Sequence, residues 1–321
     1  MKLAFVFPGQ GSQAVGMLDS LKDRPEVADL IAEADAALDE PLSALIAGGP
    51  ADVLALTVNT QPAMLLAGLA CYRAWRAAGG PDADAVAGHS LGEYTALTVA
   101  GAFEPGAALR LVRLRAQAMQ QAVPAGSGGM AAILGLDDEH VRLACRRATE
   151  SFAGRTPATA GVPDVVEPAN YNAPGQVAIA GSIAAMAAAC ELAKSFGARR
   201  AMQLAVSAPF HSSLLRPAGE RLAAALRETV PLAPRVPLVN NVDVAVQTEP
   251  AAIVDALVRQ SFGPVRWTEV VRKLEAMGCT RMIEFGPGKV LAGLAKRIAP
   301  SLQVSVVHDA ASLDATLKEI A

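Results

Sequence analysis

A short apolar run that ends in Gly88-His89-Ser90-Leu91-Gly92 and passes at once into helix-forming sequence constrains this chain more than any other feature. Ala85-Val86-Ala87 has the character of a strand covered on both faces, and residues 91–100 carry the apolar spacing of a helix. Joining two such elements so tightly demands a sharp turn. Gly88 and Gly92 omit the β-carbons that would collide across it, and Ser90 is left at the apex in a strained conformation. The free amides of the helix start, that of Leu91 above all, can stabilise an oxyanion, so Ser90 reads as a nucleophile rather than as a plain helix cap.

The rest of the chain repeats this alternation. Leu3 to Phe7 forms a buried first strand, stopped by Pro8-Gly9 well short of a signal-peptide core. Helices are expected at 61–78, 91–100, 106–122, 212–226, 251–261, 267–277 and 289–298. The implied class is α/β, with a parallel sheet core of α/β-hydrolase-like character. Between 126 and 206 the order changes to strand (130–136), helix (138–149), strands (166–172 and 176–180), helix (183–196) and strand (199–205). This βαββαβ pattern predicts a small ferredoxin-like domain at 126–206, inserted into a large catalytic domain made of 1–125 and 207–321. The Gly- and Pro-containing stretch 151–164 is expected to be a surface loop.

Composition removes several classes of function. With 52% hydrophobic and 18% charged residues, 321 residues can bury a full core. A net charge of −3 and only 4% aromatic residues leave no footprint for nucleic acid. The alanine-rich stretch 183–190 falls far short of the ~20 apolar residues that span a membrane. Cys71, Cys145, Cys190 and Cys279 are scattered, with no CxxC pair and no neighbouring histidine. Neither a metal site nor a disulfide frame is expected, and a reducing cytoplasmic setting is the simplest.

A serine nucleophile needs a base. Of the four histidines, His89 adjoins Ser90 and should point elsewhere as a structural residue. His140 lies among Asp138, Glu139 and Arg142 on a solvated helix face, and His308 lies beside Asp309. His211 follows Val206-Ser207-Ala208-Pro209-Phe210, where the chain leaves the small domain, and is the candidate base. No acidic residue stands out as its partner, which leaves a backbone carbonyl to orient the ring. The loop Phe7-Pro8-Gly9-Gln10-Gly11-Ser12-Gln13 lacks both the P-loop ending and dinucleotide glycine spacing. Its position after a strand suits the Gln10 amide as a second oxyanion donor. Arg115 lies on helix 106–122 with Arg110 and Arg113, and on spacing alone nothing separates it from a solvated arginine.

The motifs together resemble the malonyl-CoA:acyl carrier protein transacylase family of bacterial fatty-acid synthesis, and the similarity runs essentially end to end. It is carried by Phe7 to Gln13, Thr60-Gln61-Pro62-Ala63, Gly88-His89-Ser90-Leu91-Gly92-Glu93-Tyr94 and Met119-Gln120-Gln121-Ala122-Val123-Pro124. Pro174-Gly175-Gln176-Val177, Asn240-Asn241-Val242-Asp243 and Glu284-Phe285-Gly286-Pro287-Gly288-Lys289-Val290 extend it. The resemblance implies Ser90 as the acylated nucleophile, His211 as its base and the Gln260 carbonyl behind the imidazole. It further implies the Gln10 and Leu91 amides as oxyanion hole and Arg115 as the partner of the malonyl carboxylate. Leu91 and Phe210 resemble the pattern of malonyl-selective acyltransferase domains.

The same resemblance implies malonyl-CoA as donor and the phosphopantetheine thiol of acyl carrier protein as acceptor. No permanently bound cofactor or metal is expected, and the chain is expected to be a monomer. Because that carrier is acidic, Arg199, Arg200, Lys296 and Arg297 are candidates for docking it. Two departures, a longer 151–164 segment and Phe210 in place of a smaller residue found in some members, bear on pocket shape or carrier docking. An α/β-hydrolase would need an acid between serine and histidine in chain order, yet Asp243 and Asp255 follow His211. A carrier-binding scaffold, or a malonyl transferase of a malonate decarboxylase or polyketide system, stays open at this point.

Overall fold

The structure, a computed structural model, describes residues 1–206 and 208–320. Its strands among these residues are β1 (Leu3–Phe7), β2 (Ala85–Gly88), β3 (Gly128–Leu134), β4 (Val166–Ala173), β5 (Gln176–Ser182), β6 (Arg200–Gln203), β7 (Leu238–Val239), β8 (Arg281–Phe285) and β9 (Gln303–Val307). They form separate large and small sheets.

The large sheet is parallel throughout, in the order β7-β2-β1-β8-β9. Successive side chains of β1 alternate between two cores. Leu3, Phe5 and Phe7 join Trp75 and Phe285 on one face, and Ala4 and Val6 join Trp267 and Met282 on the other. Burial on both faces is why these strands are apolar without alternation. Phe5, Trp75 and Phe285 interlock edge to face, with centroid distances of 4.7 Å for Phe5 to Phe285 and 5.7 Å for Trp75 to Phe285. Among the described residues no helix is long and apolar enough to cross a membrane.

The small sheet is antiparallel in the order β4-β5-β3-β6. With helices Asp138–Ser151 and Ile183–Ser195 it has the ferredoxin-like βαββαβ arrangement. The helices bury Val141, Met186 and Ala189 against Ile133, Val177 and Ile179. The opposite face presents Met130, Ala178 and Ala180 to Met119 and Phe210, which puts it over the carboxyl ends of β1 and β2. Backbone bonds from Tyr171 N to Val265 O (2.9 Å) and from Val265 N to Ala169 O (2.8 Å) tie β4 to the large sheet's surroundings.

Most expected elements stand within a few residues of their predicted bounds. Residues 212–226 differ: a 3-10 turn, Ser213–Leu215, precedes helix Arg216–Glu228, whose second position is Pro217. Proline accepts a first helical turn but not its interior, so the α-helix starts there. The 151–164 stretch is closed off by Asp164, which accepts from Ala158 N and Ser182 Oγ at 3.0 and 2.8 Å. We propose the division into 1–125 with 207–321 and 126–206; its bound at Ser207 and its end at Ala321 lie outside the described residues.

Candidate active site

The sheet delivers β2 into a turn where Ser90 has φ +54°, and helix Gly92–Val99 begins directly after it. A β-carbon at Gly88 would lie 1.9 Å from the Gly92 carbonyl carbon, and one at Gly92 would lie 1.9 Å from the Phe7 oxygen. The sharpness of the turn is therefore a property of these glycines. Asn241 clamps it, accepting from Ser90 N at 2.7 Å and donating to Gly88 O at 2.7 Å. Such support is what a residue held at positive φ requires.

His211, also left-handed with φ +63°, places Nε2 2.6 Å from Ser90 Oγ. Its Nδ1 lies 2.9 Å from Gln260 O and 3.2 Å from Gly263 O. Both acceptors are carbonyls at the end of helix Pro250–Phe262, where the last turn has no intrahelical donors left. A carbonyl can only accept, so Nδ1 carries the proton and Nε2 is the free lone pair facing the serine. Burial, aided by the nearby Arg115 charge, pushes the imidazole down to about 3.

Arg115 projects from helix Pro105–Gln121 and is 2% exposed. It donates to Gln61 Oε1 at 2.8 Å, Gln260 Oε1 at 3.0 Å and Ser90 Oγ at 3.2 Å, and lies over the Tyr94 ring at 5.3 Å. All of these partners are neutral, and the guanidinium Nε has none. Gln260 also donates to Ser90 O at 2.9 Å and to Glu93 Oε2 at 3.0 Å. The buried Glu93 carboxyl, which further accepts from Asn241 N at 2.9 Å, is pushed up to about 7 by desolvation.

Ser90, His211, Arg115 and Gln61 border a cavity of about 150 Å³, lined also by Gln10, Leu91, Met130 and Phe210, with Gln260 and Glu93 lying behind this lining. A cavity of that size holds a group of roughly benzene's bulk, which suits a short acyl chain. The Gln10 and Leu91 amides donate to no other described residue. An adjoining cavity of about 260 Å³ shares Gly9, Gln10 and His89 and leads toward Asn172, Gln176 and Leu294. His89 bonds Asn172 Oδ1 at 2.9 Å, meets Trp267 edge-on at 5.7 Å and borders both cavities; we propose a structural role for it.

Ser90, His211, Arg115, Gln10, Leu91 and Gln260 are thus gathered at one place. Arg199 packs over Gly135, whose amide donates to Gly175 O at 2.8 Å, while Arg297 bonds Pro174 O at 3.0 Å and the Gln176 side chain. Arg199 and Arg297 therefore flank one turn, 174–176, near the outer cavity, while Arg200 is exposed at the start of β6. Lys296 is exposed on helix Val290–Ile298. Sequence reasoning did not single out Gln61, Glu93 or Asn241. Each sits in a motif that carried the resemblance, but nothing in the spacing says which polar side chain turns inward. Among the described residues no group of three or more His, Cys, Asp or Glu side chains could hold a metal.

The family model described as acyl transferase domain matches residues 4–313. The chain belongs to this family. Within it, the chain is similar to the malonyl CoA-acyl carrier protein transacylase of Salmonella typhimurium strain LT2, with 47% identity over 319 residues and 99% of each chain covered. The solved acyl-carrier-protein S-malonyltransferase from Burkholderia pseudomallei 1710b is 57% identical with a TM-score of 0.94, covering 99% of this chain and 100% of that one. A malonyl-transacylase solved in complex with its type II polyketide-synthase acyl-carrier protein matches at 44% identity and a TM-score of 0.93, over 99% and 100% of the two chains. The transacylase resemblance seen in the motifs is borne out.

Proposed function

We propose that this acyl transferase moves a malonyl group from malonyl-CoA to the phosphopantetheine thiol of acyl carrier protein, through an ester on Ser90, in fatty-acid biosynthesis. The observation that carries the reading is the buried Arg115 fork, held only by neutral acceptors, 3.2 Å from the serine oxygen. A guanidinium so placed offers paired, charge-assisted hydrogen bonds to a carboxylate on the acyl group. A purely hydrocarbon acyl chain would leave that cation buried with no anion in direct contact.

In the first half-reaction the malonyl carboxylate pairs with Arg115, and His211 Nε2 takes the Ser90 proton as Oγ attacks the thioester carbon. The oxyanion is held by the Gln10 and Leu91 amides. Collapse breaks the carbon–sulfur bond, and the imidazolium returns its proton to the departing coenzyme A sulfur. The carrier's thiol then loses its proton to His211 and attacks the ester, and the proton ends on Ser90 Oγ. The Gln260 carbonyl keeps the ring in one tautomer throughout. The inner cavity takes the acyl group and the outer one the pantetheine arm, with Arg199, Arg200, Lys296 and Arg297 as docking residues for the acidic carrier. The chain works as a monomer in this reading.

Intact-protein mass spectrometry with malonyl-CoA tests the reading. A malonyl adduct is expected on the wild type, absent from Ser90→Ala, and discharged by holo carrier protein faster than by water. Dominant hydrolysis would return the chain to the hydrolase class. Because a relative is solved with a type II polyketide carrier, discharge by fatty-acid and polyketide carriers measured side by side reads which pathway it serves.

A further inference from the structure

Glu93 takes no part in the steps above, yet it joins the helix after Ser90 to the Asn241 and Gln260 segments of the site. It stands in the first turn of helix Gly92–Val99, is 1% exposed, and receives both Asn241 N and Gln260 Nε2 on a single oxygen. Its carboxylate fixes which way round the Gln260 amide lies: nitrogen toward Glu93, oxygen toward Arg115 at 3.0 Å. Glu93 and Arg115 are thus an ion pair separated by one amide. A direct pair would fill the guanidinium fork, whereas this relay supplies a counter-charge and leaves the fork available.

That arrangement is balanced only while the cavity holds no other anion. A malonyl carboxylate on Arg115 would bury two negative charges with one positive one, and like charges at such range in a poorly solvated site cannot both persist cheaply. The other ionisable groups facing Glu93 cannot absorb the change. Arg115 stays cationic. The Tyr94 phenol is driven up by burial, Asp243 is held low by Arg259, and His211 lies at about 3. Glu93, at about 7, can change charge near neutrality.

We propose that Glu93 is the exchangeable counter-charge of the acyl pocket: free to ionise while Arg115 faces an empty or acetylated serine, and held fully protonated once a malonyl carboxylate pairs with Arg115. Glu93 is in this sense a positioning residue that tunes selectivity for a carboxylated acyl group. The inference rests on the malonyl reading above. Formation of the serine ester itself exchanges one hydroxyl proton for one thiol proton, so any further proton uptake reports an ionising side chain.

Loading is followed in weak buffer with a pH indicator while intact mass reads the ester. About half a proton per malonylated serine is expected at pH 7, because a group half-protonated when the pocket is empty becomes fully protonated. Acetyl-CoA loading should give none. Glu93→Gln keeps an oxygen for both hydrogen bonds and removes the charge. It should abolish the uptake and raise the malonyl-to-acetyl ratio of loading by about fivefold or more, since the cation then lacks any other anion. Uptake that persists in Glu93→Gln, or an equal loss of both loadings, would overturn the proposal. Malonyl-ester formation in the wild type without proton uptake would overturn it alone, whereas no ester on Ser90 would overturn the transacylase reading with it.

Discussion

Gly92→Ala puts the geometry of the turn at Ser90 to a direct test. The added β-carbon would sit 1.9 Å from the Phe7 carbonyl oxygen, where contacts below 3.0 Å essentially do not occur. Helix Gly92–Val99 and the end of β1 must therefore part by about 1 Å. Both parties are backbone, so no side chain can swing aside, and the cost should reach about 3 kcal/mol, the upper end for overpacking. With a urea dependence of about 3 kcal/mol per molar, the unfolding midpoint drops by roughly 1 M. The same displacement moves the Leu91 amide away from the Gln10 loop, and a misplacement of about 1 Å costs on the order of 100-fold in rate. Gly293→Ala serves as control, because its β-carbon meets nothing within 4 Å on helix Val290–Ile298. That variant should be neutral or gain up to about 1 kcal/mol. Urea titration by circular dichroism and quenched loading of Ser90 read the two effects. A Gly92→Ala enzyme with the midpoint and loading rate of Gly293→Ala would refute the reasoning.

Two further outcomes follow from the site. Arg115→Ala should lower kcat/KM for malonyl-CoA by about 100-fold or more, the scale of a broken buried ion pair, and that for acetyl-CoA by no more than about tenfold; equal losses in steady-state kinetics would contradict a carboxylate-binding role. His211 acts as a base only when neutral, and burial lowers its proton affinity to about 3, so activity is lost only as pH falls through that value. Acetyl-CoA loading should hence stay flat from about pH 5 to about pH 8, and an acid limb near the usual histidine value of about 6.5 would count against the buried, neutral ring.

What the sequence made legible was whatever local chemistry fixes. The turn at Ser90 announces itself because only glycine tolerates the approach of β1 and the helix, and the βαββαβ order of the small domain follows from apolar runs of ordinary length. β8 and β9 were not anticipated. Arg281 and Glu284 interrupt the apolar run of β8, although Glu284 is fully buried and spends its carboxylate on Leu291 N and Ala292 N at 3.1 and 2.8 Å. A charge that caps a helix from within a strand looks, in sequence, like a surface residue. β7 spans Leu238–Val239 and is too short for any period to register. Glu93 and Asn241 were invisible as site residues for a related reason: their value lies in long-range bonds, to Asn241 N and to Ser90 N, that no spacing encodes.

The strand order carries a consequence for how the molecule is made. β1 lies at the centre of the large sheet, flanked by β2 and β8, and Leu3 pairs with Arg281. A chain emerging from the ribosome therefore completes one side of its central strand early and must hold the other edge open until the intervening residues, the small antiparallel sheet included, have been synthesised. Loop closure over such distances is slow, and an unpaired apolar edge invites association with other chains. The small sheet, whose strands and helices are close in sequence, can form during that wait. A newly made molecule would then carry a finished small sheet beside an unfinished large one, and chaperone demand should fall on the interval before β8 arrives.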